Sequence, residues 1–81
     1  MNAPNNTVAA AQRTAYAADH IVAPAKRAWG AGWSRLSDEQ KEVEVLARFA
    51  NWVLGSTKIV PNLPAERIAN MWAACMACDW S

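Results

Sequence analysis

At 81 residues the chain has room for one hydrophobic core, which excludes a multidomain enzyme and leaves little material for a water-excluding cleft. Hydrophobic residues make up 53% of it, but 18 are Ala, which remove little apolar surface, so five Trp, each able to bury about 150–250 Å², must close the core. Eight basic against seven acidic side chains leave a formal charge of +1, which gives no global attraction to phosphate backbones or anionic lipid.

The fold class that the pattern predicts is all-α: a small compact bundle of three to four helices forming a single domain over residues 7–81. Residues 1–6, with Pro4 among three Asn, read as a flexible N-terminus that lacks the basic start and apolar block of a signal peptide. No run reaches the roughly 18 apolar residues of a membrane span, so a cytoplasmic protein with no membrane partner is expected. A first helix over residues 7–23 carries Val8, Ala11, Ala15, Ala18 and Val22 at 3-4-3-4 spacing, a thin face that allows close packing. Pro24, lacking an amide hydrogen, is expected to open a new short helix over 25–31, which Gly30 and Gly32 then dissolve.

Ser37, Asp38, Glu39 and Gln40 form a capping box, the clearest start signal in the chain. The third helix is predicted over 38–54, with Gly55 as its stop and Ser56 to Pro61 as an extended linker. On it Val43, Leu46, Ala50 and Val53 fall on one side and Val45, Phe49 and Trp52 on an adjoining side, leaving Glu44, Arg48 and Asn51 as a narrow polar strip. That arc is too broad for one Ala-lined neighbour to cover. A last helix over 64–79 begins at Pro64 and points Ile68, Met71, Trp72 and Cys75 inward.

Cys75-Met76-Ala77-Cys78 is a C-x-x-C, but it lies in a last helical turn, where the negative dipole end disfavours a thiolate, and no βαβ pattern surrounds it. Two Cys and the lone His20 fall short of a four-ligand zinc site, so the thiols read as small buried hydrophobes, a metal shared between chains being the alternative. His20 has no nucleophile or acid motif around it, so no catalytic residue, metal or cofactor is expected.

Lys26, Arg27, Trp29, Trp33 and Arg35 form a basic and aromatic stretch. Three cations are few for a phosphate-tracking groove, so a nucleic-acid module built on Lys26, Arg27 and Arg35 is a secondary reading. The favoured reading is a small protein-binding factor, of the accessory or inhibitory type found in phages and mobile elements, that occupies a surface of a larger target. Its expected contact residues are Trp29, Trp33, Arg35, Val45, Arg48, Phe49 and Trp52, with Trp and Arg as anchors and the acidic start of the third helix for orientation. A self-assembling homodimer that buries Phe49 and Trp52 is the alternative.

Overall fold

The computed structural model describes the backbone from Ala3 and the side chains from Val8 onward. Four α-helices follow one another: α1 (Ala3–Ala17), α2 (Ala23–Trp29), α3 (Asp38–Ile59) and α4 (Ala65–Ala77). The all-α bundle is as predicted, and the described residues contain no strand. Of the six residues expected to be loose, 1 and 2 lie outside the described residues and 3–6 belong to α1.

Between α1 and α2 the helix does not break. Residues Ala18–Val22 form a π-helical turn, and the Ala23 amide donates to the carbonyl of Ala18, five residues back. Pro24 lies at the start of α2 but does not open a new helix as expected, since the helical backbone runs on through Ala17, Val22 and Ala23. A proline ring clashes with the carbonyl four residues before it, and a widened turn at that point relieves the clash without ending the helix. The extra residue also rotates the packing face. Instead of Val8, Ala11 and Ala15, which are exposed, the buried positions are Ala17, Ile21, Val22 and Ala25.

Gly30 closes α2 with φ of 55°, a left-handed conformation that a side chain disfavours, while its amide donates to Lys26. The chain tightens there into a 3₁₀ segment, Gly30–Arg35, that drives Trp33 inward to 4% exposure. The capping box forms as predicted: Ser37 Oγ accepts from the Gln40 amide at 3.1 Å and Gln40 Oε1 accepts from the Ser37 amide at 2.9 Å.

The predicted end of α3 is corrected. Gly55 is helical, and the helix runs through Ser56 and Thr57 to Ile59, so there is no extended linker at 56–59. A glycine costs a helix interior only about 1 kcal/mol, whereas Pro61 forces the residue before it out of the helical region. Val60 accordingly takes φ −122° and ψ 88° and ends the helix. Pro64 stands as the cap of α4 in extended conformation, and α4 stops at Ala77, two residues before the predicted end.

The core gathers where the π turn, α3 and α4 meet, and its largest fully enclosed side chains are Ile21, Val45 and Cys75. Phe49 packs on Trp72 with ring centroids 5.1 Å apart and on Trp52 at 6.0 Å. The molecule is flat, 43 × 30 × 18 Å. Its radius of gyration is 13.6 Å, against about 12 Å for a compact domain of this length.

Candidate functional site

The sides of α3 are assigned the other way round from the expectation. Val45 is fully buried, Phe49 is 9% exposed and Trp52 is half-buried against Phe49, so this side faces the protein's own core. Trp33 is likewise core. Of the expected contact residues, Trp33, Val45 and Phe49 therefore present no free surface, because Trp72, the π turn and the C-terminal tail cover what the thin α1 does not. Arg48 is half-buried and bridges to Glu44 one turn back at 3.2 Å. Trp29 and Arg35 are exposed.

The other side of α3 is the uncovered one. Val43 is 62% exposed, Leu46 47% and Leu54 63%, with Ala47 and Ala50 exposed between them. At 100° per residue these five positions lie within about 60° of one line along the helix, opposite Val45 and Trp52. Leu46 and Val43 were visible in the sequence as a core side. What the sequence lacked was any sign of which of two apolar sides the rest of the chain would cover.

At its N-terminal end this stripe runs into a hollow of about 470 Å³ lined by Trp29, Leu36, Gln40, Val43 and Glu44. Gly30 and the 3₁₀ turn swing Trp29 outward here while Trp33 turns inward. Asp38, Glu39 and Glu42 make this end of α3 acidic, whereas Lys58 lies at the far end.

On the opposite side of the molecule, the free edge of Trp52 opens onto a groove of about 600 Å³ between α1, α3 and α4, lined also by Gln12, Arg13, Tyr16, Arg67 and Asn70. Apolar atoms make up most of its exposed lining, which includes Ala9, Tyr16, Trp52 and Met71 beside these polar groups.

The two cysteines are free thiols in the last turn and cap of α4. Burial pushes the Cys75 thiol up to about 11, with Cys78 adding to the effect, and burial also raises Cys78 although Lys26 opposes it. Burial thus keeps both protonated at neutral pH, where a thiol is a poor nucleophile. Cys78 Sγ lies 3.5 Å from the Thr14 carbonyl and 3.3 Å from that of Ala74, joining α1 to α4. Among the described residues no three His, Cys, Asp or Glu side chains converge as metal ligands. His20 is exposed and packs against Tyr16 with the rings tilted by 33° and their centroids 4.3 Å apart.

The basic stretch is dispersed. Lys26 Nζ donates to the Asp79 carbonyl at 2.9 Å, and with Trp33 enclosed only Trp29 offers a ring to a base. No helix among the described residues is long and apolar enough to cross a membrane. No protein-family model matches the chain, and no curated protein or solved structure is similar to it.

Proposed function

We propose that the protein is a helical protein-binding factor whose docking surface is the outer side of α3, Val43, Leu46, Ala50 and Leu54, continued by Trp29 and the hollow beside it. The observation that carries this reading is the exposure of three large aliphatic side chains, Val43, Leu46 and Leu54, in line along one side of a single helix, whereas other exposed apolar side chains such as Val8, Ile59 and Met76 lie apart from that row. Scattered exposed hydrophobics are ordinary; a contiguous row of them is the mark of an interaction surface. Covering the stripe contributes about 25 cal/mol for each Å² of apolar surface removed from water.

The fitting partner is an amphipathic helix laid along α3, with its apolar side on the stripe, a large side chain in the Trp29 hollow and cationic residues at the end that meets Asp38, Glu39 and Glu42.

The test is affinity co-purification from the native host with wild type, Leu46→Asp and Arg27→Glu forms of equal thermal stability. A partner retained by wild type and Arg27→Glu but lost with Leu46→Asp supports the surface. Equal recovery with Leu46→Asp rejects it, and loss with Arg27→Glu alone shifts the weight to the basic stretch.

A further inference from the structure

We infer that the helix which covers the outer side of α3 is α3 of a second copy of this chain, lying antiparallel. The inference rests on the docking surface proposed above and names its occupant. The first ground is the pattern of the stripe. Val43, Ala47, Ala50 and Leu54 follow each other at spacings of 4, 3 and 4, the seam spacing of paired helices. In size they read large, small, small, large in either direction. A two-fold axis midway between Arg48 and Phe49 therefore sets Val43 opposite the partner's Leu54 and Ala47 opposite the partner's Ala50, with the alanines allowing the backbones to close in. Leu46 and the half-buried Val53 share one flank of this seam, and an antiparallel two-fold brings like flanks face to face.

The second ground is charge. A parallel pair would stack Asp38, Glu39 and Glu42 of both chains at the same end, beside two helix N-termini, and like charges so placed disfavour that arrangement. The antiparallel pair puts each acidic start next to the other chain's Lys58 and helix C-terminus, a favourable order for both charge and dipole. The third ground is the hollow. In the antiparallel register the partner's Leu54 arrives at Val43, on the flank where Trp29 and Leu36 leave the space open. In the parallel register the partner's smaller Val43 takes that place, while the partner's Leu54 lies eleven residues, about 16 Å, away.

Sedimentation equilibrium from about 10 to about 300 µM tests this, with Ala50→Glu and Lys58→Glu as variants and far-UV circular dichroism melting as the control for folding. Wild type is expected to dimerise. Ala50→Glu places a charge beside the axis and is expected to weaken association at least about tenfold, with the melt unchanged at a dilution where both forms are monomeric. Lys58→Glu is expected to weaken it about two- to fivefold, the loss shrinking in high salt. A wild type that is monomeric across the range overturns the inference. So does a dimer indifferent to Ala50→Glu, which would use another face, or one tightened by Lys58→Glu, which would have the other orientation. If Ala50→Glu lowers the melting temperature, Leu54→Lys, at a position 63% exposed, takes its place. A monomer that still recovers a host partner through Leu46 leaves the docking surface standing and removes only the self-pairing, so the two failures are separable.

Discussion

The C-terminal tail and the outer side of α3 deal with apolar surface in opposite ways. The tail is bound down at every step: Trp33 Nε1 donates to the Trp80 carbonyl at 2.7 Å, Trp80 Nε1 donates to the Cys75 carbonyl at 2.9 Å, and Lys26 holds the Asp79 carbonyl. Lys41 adds a cation over the Trp33 ring, 5.8 Å from its centroid. Among the described residues no buried side-chain polar atom lacks a partner. The outer side of α3 has no such fastening, and its aliphatic side chains rest on water. An alanine-rich chain closes its core with indoles brought from far along the sequence, and once these are used nothing remains to cover the second side of its longest helix.

The comparison is broken most severely by removing an indole from the fastened region. Trp33→Ala takes away a core ring and leaves the Trp80 carbonyl without its donor, at an expected cost of about 3–5 kcal/mol. A domain of this length holds a total on the order of 4–12 kcal/mol, so loss of the near-ultraviolet dichroism at room temperature is the expected outcome. Urea unfolding of a Trp33→Ala protein that stays within about 1 kcal/mol of wild type would show that the tail is not held through this ring.

A sharper form of the same comparison uses one helix and one substitution. Val45→Ala removes methyl groups from a fully buried site and is expected to cost about 2 kcal/mol. Val43→Ala, two residues earlier but 62% exposed, is expected to fall within about 0.5 kcal/mol of wild type at a dilution where the chain is monomeric, since alanine is the better helix former. Urea midpoints read both. Equal costs would mean that the sides of α3 are not distinguished in the way described.

Local signals were legible in the sequence wherever a backbone group has a partner close by. The capping box at Ser37 and the boundary at Gly30 follow from chemistry within a few residues. The faces of the helices were not legible, because burial is settled by elements distant in the chain. The apolar residues of α3 span two sides, and only the positions of Trp72, Trp80 and the π turn decide that Val45 and Phe49 go in while Val43 and Leu46 stay out. The face of α1 failed for another reason: the single extra residue in the π turn leaves no trace in a 3.6-residue count. Trp29 and Trp33, four apart, look alike on a helix, but the 3₁₀ turn sends one out and the other in. Of the expected contact residues, Trp29 and Arg35 do lie at the surface, whereas Trp33, Val45 and Phe49 are core.

The smallest effect bears on where α3 ends, and with it on the length of the stripe. At both Gly30 and Gly55 an added methyl group would meet no atom within 4 Å, so crowding plays no part in either substitution. They differ in backbone alone: Gly30 has φ of 55°, while Gly55 lies within a helix. Gly30→Ala is therefore expected to cost about 1 kcal/mol, and Gly55→Ala to add about 0.5–1 kcal/mol by restricting the unfolded chain and improving helix propensity. For a domain of this size the latter is a rise in melting temperature of a few degrees, on the scale of about 4–8 °C per kcal/mol. A fall at Gly55→Ala would place that glycine in a left-handed turn and end α3 where the sequence alone would end it. Lys58 would then leave the helix, and the charge order that favours an antiparallel partner would go with it, while Val43, Leu46 and Ala50 would still stand exposed.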